Sequence, residues 1–333
     1  MEGLIKINIT NDENYPLGSK ENPRHILGLS GGKDSTALAI HIMNTRPDVH
    51  EKIEYYFTDT GTELEEIYTY LDKLEKYLGK KVQLIKATVD ENKKLGFRAT
   101  NVDDEQVPFD DVLYDKFNGF LPAPNARWCT RYLKIEPMEK WINGEYCVSY
   151  IGLRADEPQR VGYDSKGKKN VNITPVYPFR EDNIDIQKVF QILEETVGMP
   201  EYYKWKTRSG CFFCFYQRRV EYAILYFLYP ELFKYSKKYE TEHSDGRKFT
   251  WVKDKPLEYI EDNAKEIIKR YVKKQYKKLT FKELTEMTMT LDEINSFIDE
   301  GKIREFVDTW NLYRLHNAGE EEAGKDGCTV CAI

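Results

Sequence analysis

The sequence lacks long hydrophobic runs and is poor in histidine. No stretch reaches the roughly 18 uncharged apolar residues that a transmembrane helix needs, so we expect no contact with a membrane. The N-terminus lacks a basic segment followed by an apolar one, which argues against secretion and predicts a cytoplasmic protein. Only five histidines occur in 333 residues, and none has metal-ligand spacing. Histidine-based catalysis and a histidine-rich zinc site therefore have little support.

The charge balance is mildly acidic. A net charge of -6, with 41% hydrophobic and 32% charged residues, is typical of a globular protein with one large domain or two smaller ones. This balance argues against a protein that binds nucleic acid over its whole surface, although it allows local basic patches.

Cysteine is sparse for a disulfide-stabilised protein. In a large cytosolic chain, cysteines are expected to bind metal, act in catalysis or be inert. The six cysteines are Cys129, Cys147, Cys211, Cys214, Cys328 and Cys331. Cys147 lies in an apolar strand pattern, which predicts a buried core residue.

Strand and helix patterns alternate in the first half of the chain. This alternation predicts an α/β fold with a doubly wound, mostly parallel sheet. The predicted strands are 26–29, 54–58, 82–87 and 146–151, and the predicted helices are 35–44 and 63–78. Residues 92–127 and 156–172 have weak periodicity and are predicted to be long functional loops. We expect an α/β domain over 1–200 and a helical region over 201–333 with a flexible, cysteine-containing tail.

The segment Ser30-Gly31-Gly32-Lys33-Asp34-Ser35 joins the first predicted strand to the first predicted helix. Backbone N–H groups in a glycine-rich turn and the positive end of a helix both favour phosphate. Lys33 adds a point charge, and Ser30 and Ser35 add hydroxyl donors. The spacing is neither that of the P-loop nor that of G-x-G-x-x-G.

This six-residue segment resembles the pyrophosphate loop (PP-loop) of the ATP pyrophosphatase, or adenine nucleotide alpha-hydrolase (HUP), superfamily. Members bind ATP, cleave it between the α and β phosphates and often leave an adenylated substrate. The resemblance implies ATP and Mg²⁺ as ligands of residues 30–35, with Lys33 and Asp34 as catalytic residues.

Within that superfamily the chain resembles the phosphoadenosine phosphosulfate (PAPS) reductase family. The segments that carry the resemblance are 57–61 (FTDTG), 129–137 (CTRYLKIEP), 151–160 (IGLRADEPQR) and 173–178 (ITPVYP). The resemblance implies further nucleotide contacts from Asp59, Thr60, Gly61, Gly152, Arg154 and Arg160. Asp59 is expected to hold a magnesium-bound water or a ribose hydroxyl, and the two arginines to clamp phosphate or sulfate.

One departure from the reductases favours a different activity. Reductases of this family are expected to have a degenerate pyrophosphate loop, because they bind an existing nucleotide and do not split ATP. This chain keeps the complete six-residue loop. The difference favours an ATP-hydrolysing relative.

The cysteine spacing resembles that of the iron–sulfur branch of the family, which pairs a double cysteine with a later C-x-x-C. Trp128 stands where the first cysteine of the double would be, leaving Cys129, Cys211 and Cys214 as ligands of a 4Fe–4S cluster. Zinc is an alternative, with Cys328 and Cys331 completing a tetrahedral site, and a chain without metal is another.

The C-terminal cysteines and a basic helical pattern each have two interpretations, one functional and one without a function. Cys328 and Cys331 near the C-terminus resemble the mobile catalytic cysteine of the reductases and are expected to carry a persulfide or resolve a disulfide, or else to be inert. The basic helical pattern over 265–278 either follows a nucleic-acid backbone or is a solvated face.

Three functions are compatible with these observations. The first is an ATP-dependent sulfurtransferase that adenylates its substrate, releases pyrophosphate and inserts sulfur. Its expected acceptor is a nucleic acid, by DNA phosphorothioation or tRNA thiolation, because the chain resembles the phosphorothioation sulfurtransferase. A sulfur donor such as a cysteine desulfurase is then implied, and a homodimer is possible. The second is a sulfonucleotide reductase, and the third is a non-catalytic nucleotide sensor in a defence or regulatory complex.

Overall fold

The strand that leads into the glycine-rich loop lies inside a six-stranded sheet. The computed structural model of the protein describes residues 12–100, 106–162, 171–208, 210–242, 246, 248–253, 255–279 and 289–309. The strands of this sheet are β1 (Arg24–Gly28), β2 (Ile53–Asp59), β3 (Val82–Val89), β4 (Leu95–Thr100), β5 (Tyr146–Tyr150) and β6 (Asn172–Val176). Their order is β4-β3-β2-β1-β5-β6, and every neighbouring pair is parallel except the antiparallel pair of β3 and β4.

Helices follow most of the strands. They are α1 (Lys33–Thr45), α2 (Pro47–Lys52), α3 (Glu65–Leu78), α4 (Pro108–Phe117), α5 (Trp128–Thr130), α6 (Glu136–Ile142), α7 (Pro178–Glu181) and α8 (Ile186–Glu194). A π-helical turn over Arg131–Ile135 joins α5 to α6. The doubly wound, mostly parallel fold predicted from the sequence is confirmed.

The local sequence explains the central elements. β1 has a continuous apolar run because a parallel strand in the middle of a sheet is covered on both faces. α3 instead buries Ile67, Leu71 and Leu74 on one stripe and ends at Gly79, whose φ of +67° suits glycine. One apolar cluster includes Ile26 of β1, Ile85 of β3, Met138 and Ile142 of α6, Cys147 of β5 and Ile173 of β6. Cys147 is 1% exposed, which confirms it as a core residue.

The prediction of a long loop over 92–127 is wrong in part. Residues 95–100 form β4, and residues 108–117 form α4. β4 pairs only with β3, at the edge of the sheet, and Leu95 is its one buried residue. Such a strand has no alternating apolar pattern, so hydrophobic periodicity does not reveal it.

The direction of the connections changes between β1 and β5. From β1 the chain passes to β2 and β3 on one side, and from β5 it passes to β6 on the other. In open α/β sheets, ligands bind outside the carboxyl ends of the strands at such a switch point. Residues 29–32 follow β1 and residues 151–154 follow β5, so the fold brings two of the predicted binding segments to this place.

The chain divides into two units. The described part of the first unit comprises residues up to 116 together with 128–200, and that of the second comprises 117–127 and residues from 201 onward. The second unit contains α9 (Arg219–Leu228), α10 (Pro230–Lys237), α11 (Leu257–Asp262), α12 (Ala264–Tyr276), α13 (Leu291–Asp299) and α14 (Ile303–Thr309), with a short pair of strands, β7 (Thr241–Glu242) and β8 (Lys248–Phe249). The predicted helical C-terminal region is thus confirmed. None of the described helices is long and apolar enough to span a membrane.

Candidate nucleotide-binding site

The turn after β1 requires glycine. Gly31 has a φ of +67°, and a Cβ atom there would lie 2.8 Å from Cγ2 of Ile67 in α3. Gly32 is the N-cap residue of α1 and provides no side-chain cap for the helix. The turn therefore packs against α3 through its backbone. It also leaves the start of α1 without a capping side chain, so an anion can bind to the first N–H groups of the helix.

The two serines of the turn bind to each other. The backbone N–H of Ser30 donates to Oγ of Ser35 at 3.1 Å, and the two hydroxyl oxygens are 3.0 Å apart. Oγ of Ser35 also donates to the Gly32 carbonyl at 3.3 Å. These bonds close the loop on itself, so both serines stabilise its shape. Their predicted contacts with phosphate stay a prediction.

Asp34 joins the loop after β1 to the loop after β5. Its carboxylate accepts hydrogen bonds from Nζ of Lys33 at 2.7 Å and from Nη1 of Arg154 at 2.8 Å. Burial raises the pKa of this carboxyl, but the Lys33 and Arg154 cations outweigh burial and hold the pKa well below its ordinary value. Asp34 is thus an anion that positions two cations at the switch point.

Gly152 allows this junction to form. A Cβ atom at this position would lie 3.2 Å from the carbonyl oxygen of Asp34 and 3.4 Å from its carbonyl carbon. Both contacts are with backbone, which cannot move aside as a flexible side chain does. The predicted site residues Gly152, Arg154 and Asp34 are therefore brought together.

Arg154 and Arg160 are both engaged with carboxylates. Besides Asp34, Arg154 contacts Asp156 at 3.0 Å through Nε and Glu157 at 3.3 Å through Nη2. Arg160 donates from Nη1 to both carboxylate oxygens of Glu157 at 2.8 Å. The direct clamp on phosphate or sulfate expected of these arginines stays a prediction. Their observed contacts organise the loop after β5.

Asp59, at the end of β2, is buried. One carboxylate oxygen accepts from the Gly61 N–H and the Tyr68 hydroxyl, each at 2.8 Å. The other lies 3.4 Å from Nζ of Lys86, and both side chains of this ion pair are about 3% exposed or less. Asp59 thus stabilises the turn at residues 60–62. Its predicted contact with a magnesium-bound water or a ribose stays a prediction.

Glu63 is a site residue that sequence reasoning missed. Its carboxylate accepts from the Thr60 N–H at 3.1 Å, the Thr60 hydroxyl at 2.8 Å and the Thr62 N–H at 3.2 Å. Together, Asp59 and Glu63 bind the backbone N–H groups of Thr60, Gly61 and Thr62. The sequence could have revealed Glu63 as the second acidic residue of the D-T-G-T-E segment, which follows the carboxyl end of a predicted strand.

The environment of Glu63 makes its carboxyl a weak acid. Burial, followed by the negative charge of Asp59, raises its pKa to about 7, although Lys134 and the hydrogen bonds from Thr60 and Thr62 act in the opposite direction. Lys134 lies in the π-helical turn, which packs against β2 and β3. Insertions of this kind occur often at functional sites.

We predict that Glu63 makes the stability of the fold fall as pH rises. Because the pKa is about 7 in the folded state and 4.5 ordinarily, the folded state keeps a proton that the unfolded chain has released. Between about pH 4.5 and 7 the free energy of unfolding should therefore decline by up to about 3 kcal/mol through this group. In Glu63→Gln this decline should be absent. Urea unfolding between pH 4.5 and 8 measures it.

Glu65→Gln is the matched control, because Glu65 is exposed on the first turn of α3. Its unfolding free energy should follow the wild-type pH dependence. Identical pH dependence in wild type and Glu63→Gln would show that Glu63 does not titrate in this range.

The predicted metal ligands lie in different parts of the chain. Cys129 is in α5 of the first unit, whereas Cys211 and Cys214 are in the second. All three are partly exposed thiols. In the described part of the chain, no group of three or more His, Cys, Asp or Glu side chains is arranged to hold a metal ion. The three-cysteine cluster stays a prediction, and Cys328 and Cys331 lie outside the described residues.

The turn that carries Cys211 and Cys214 is held by buried polar groups. Nζ of the fully buried Lys206 donates to the Cys211 carbonyl, and the Tyr222 hydroxyl lies 3.2 Å from both N and O of Cys214. The Gln217 N–H donates to the Cys214 carbonyl at 2.7 Å. The Gln217 side-chain amide is 5% exposed, and neither its nitrogen nor its oxygen has a hydrogen-bond partner among the residues described.

A family comparison covers the whole candidate nucleotide site. Residues 24–186 match the family model of the phosphoadenosine phosphosulfate reductase domain. The matched range begins with β1 and extends past β6, so it includes the loops after β1, β2 and β5.

Two of the relatives that this chain matches are described as uncharacterized proteins. The chain is 25% identical over 199 residues to an uncharacterized protein of Methanocaldococcus jannaschii, covering 57% of this chain and 35% of that protein. It is 28% identical over 152 residues to an uncharacterized nin region protein of Escherichia phage lambda, covering 41% and 50%. The chain thus spans between a third and a half of the length of these relatives. A solved structure of phosphoadenylyl-sulfate reductase from Candida auris, a phosphate complex, is similar at a TM-score of 0.38 and 14% identity, covering 57% of this chain and 81% of that one.

Proposed function

We propose that this chain, whose residues 24–186 match the phosphoadenosine phosphosulfate reductase domain, is an ATP-dependent sulfurtransferase of the ATP pyrophosphatase superfamily. It would adenylate its acceptor with release of pyrophosphate and then insert sulfur. The acceptor class we propose is nucleic acid.

One observation carries the proposal: the glycine turn, the start of α1 and the Lys33–Asp34–Arg154 network lie together at the switch point of the sheet. The start of α1, which has no capping side chain, offers backbone N–H groups to phosphate, and Lys33 places a cation beside them. This arrangement supports the binding and departure of a pyrophosphate group more directly than the binding of a finished sulfonucleotide.

The proposed chemistry has two displacements. An acceptor oxygen attacks the α-phosphorus of ATP, an oxygen–phosphorus bond forms, the bond between the α-phosphorus and the bridging oxygen breaks, and pyrophosphate leaves with both electrons of that bond. Lys33 stabilises the charge that develops on pyrophosphate. Hydrosulfide then attacks the activated centre and displaces AMP, so sulfur replaces oxygen with no net change of oxidation state.

The carboxylates of Asp34 and Asp59 do not provide an open Mg²⁺ site. Asp34 is paired with two cations. One oxygen of Asp59 accepts from Gly61 and Tyr68, and the other pairs with Lys86. Mg²⁺ would therefore enter together with ATP and would supply neutralisation of the phosphate charge.

The cysteine turn supports the sulfur-handling part of the proposal. Cys211 and Cys214 are partly exposed thiols in one turn, next to the buried side-chain amide of Gln217, which has no hydrogen-bond partner among the described residues. A buried amide N–H without an acceptor is unfavourable, and thiolate or sulfide sulfur bound at this turn would provide one. We propose these cysteines as ligands of an iron–sulfur cluster, with zinc as the alternative.

Metal analysis checks this assignment. We expect anaerobically purified protein to contain iron and labile sulfide, and Cys211→Ser to lose most of both, because a thiolate ligand is removed. Cys147→Ala is the control, since it replaces a buried thiol of β5. Unchanged iron content in Cys211→Ser would refute the cluster, and zinc without sulfide would assign the turn a structural role.

Sulfur transfer is tested with ³⁵S-labelled sulfide. The purified protein is incubated with ATP, Mg²⁺ and either DNA or tRNA, and label in the nucleic acid is counted. We expect incorporation only with ATP and accompanied by pyrophosphate. Release of sulfite from PAPS with a dithiol as reductant and without ATP would instead establish the reductase. ATP binding without pyrophosphate release would establish the nucleotide sensor.

A further inference from the structure

α12 carries an exposed row of cations. Its buried residues are Ala264, Ile268, Val272 and Gln275. The opposite side of the helix and the turn that follows it present Arg270, Lys273, Lys274, Lys277 and Lys278, all exposed. These five positions have the spacing i, i+3, i+4, i+7 and i+8, which places them on one face of a helix. We call them the α12 basic face.

The α12 basic face has no ionic partner in the described structure. Two other lysines of the helix are engaged: Lys265 donates to the Asp299 carbonyl at 2.7 Å, and Lys269 pairs with the Asp299 carboxylate. None of the five cations forms an ion pair with the residues that the structure describes. Five uncompensated positive charges on one face contrast with the net charge of -6 of the whole chain. The face is therefore a local site for a polyanion.

The dimensions of the face suit a phosphate backbone. At about 1.5 Å per residue, Arg270 and Lys278 are about 12 Å apart along the helix axis. One strand of a duplex presents a phosphate about every 3.4 Å along its axis, so the face spans three or four phosphates. The negative charges of an acidic protein have no such regular spacing.

α9 and Arg218 connect α12 to the cysteine turn within the second unit. α12 packs on α9, which begins at Arg219, soon after Cys214. Nη1 of Arg218 lies 3.5 Å from the hydroxyl of Tyr271, the residue of α12 that follows Arg270 in the sequence. The segment that follows Cys214 therefore contacts α12 through Arg218 and Tyr271.

We propose that the α12 basic face binds the phosphate backbone of a nucleic acid, the acceptor class of the proposed function. The role of this nucleic acid as acceptor rests on the proposed function. Binding itself does not depend on ATP, so it can be measured separately.

Removal of four charges tests the proposal. In the test variant Lys273, Lys274, Lys277 and Lys278 are each replaced by Gln. The matched control replaces four other exposed lysines by Gln: Lys76, Lys81, Lys248 and Lys302. Both proteins lose the same charge, so a difference between them reports on the location of the lysines.

Binding of a fluorescein-labelled DNA of about 20 nucleotides is followed by anisotropy at several salt concentrations. We expect at least about tenfold weaker binding by the test variant at 0.1 M salt, and a salt slope of log K smaller by about 3. The control should bind like the wild type. The lysines also lie near the negative end of α12, so their removal can lower the melting temperature of the test variant. Loss of helix stability alone would not produce the selective change in salt slope.

Three outcomes overturn the proposal. The first is equal DNA binding by the test and control variants. The other two are tighter binding of the wild-type protein through the α12 basic face to polyglutamate than to DNA, and tighter binding to anionic phosphatidylserine vesicles than to DNA. Pyrophosphate release from ATP is assayed on the same proteins. A test variant that loses DNA binding but keeps this release supports the docking role, whereas a wild-type protein that binds DNA but releases no pyrophosphate contradicts only the proposed function.

Discussion

Lys33→Ala is expected to lower pyrophosphate release from ATP by about 10²- to 10³-fold while the protein stays folded. The Lys33 ammonium group is the cation that the loop itself contributes, and its position is fixed by a 2.7 Å bond to Asp34. Its loss removes stabilisation of the charge that develops on the leaving group. The fold should survive because Asp34 keeps its bond to Arg154 and the turn keeps its serine contacts.

The measurement compares pyrophosphate release and melting temperature for wild type, Lys33→Ala and Lys20→Ala. Lys20 is an exposed lysine before β1 and should tolerate the change. Full turnover by Lys33→Ala would remove the loop lysine from the mechanism.

Arg154→Gln is expected to have the second large effect. Arg154 is 11% exposed in its side chain and contacts Asp34, Asp156 and Glu157 through three different nitrogens. Without it, three carboxylates face one another with less positive charge, which should destabilise the fold by about 3 kcal/mol. Lys33 also loses its orientation when Asp34 is released, so we expect turnover to fall by about 10²-fold.

Two variants separate charge from geometry. Arg154→Lys keeps the charge but cannot reach three carboxylates with one nitrogen, so it should recover part of the stability and little of the turnover. Arg46→Gln breaks an arginine–carboxylate pair with Asp182 at the C-terminal end of α1, and should lower stability without lowering turnover. Loss of turnover in Arg46→Gln equal to that in Arg154→Gln would contradict a specific role of Arg154.

The stability difference between wild type and Arg154→Gln should also depend on pH. Asp34 has a lowered pKa in the folded state, so its stabilising contribution is complete above its ordinary value of 3.8 and is lost as pH falls below it. The difference in unfolding free energy should therefore shrink in acid. A difference that stays constant down to about pH 2 would show that Asp34 is not the partner that matters.

The sequence predicts the local parts of the site best. The strand–turn–helix at residues 24–45 is contiguous, and its glycines, lysine and serines are all needed within one short segment. Apolar periodicity likewise predicts α3 and the parallel strands. These elements depend mainly on neighbours in the chain, so a pattern of residue types is sufficient to identify them.

Contacts between distant segments are harder to predict. Asp34 and Arg154 are each predicted as site residues, but their ion pair exists only because β1 and β5 are neighbours in the sheet. The raised pKa of Glu63 depends on burial and on Asp59 and Lys134, which no spacing rule connects. The edge strand β4 is missed because one buried residue gives no alternation.

The identity of the products of ATP tests the central claim most directly. The protein is incubated with ATP labelled at the α-phosphate, together with Mg²⁺, DNA and sulfide, and the labelled nucleotides are separated. The account predicts labelled AMP with an equal amount of pyrophosphate, and little of either with Lys33→Ala. Labelled ADP with inorganic phosphate, or ATP that is bound and left uncleaved, would contradict it.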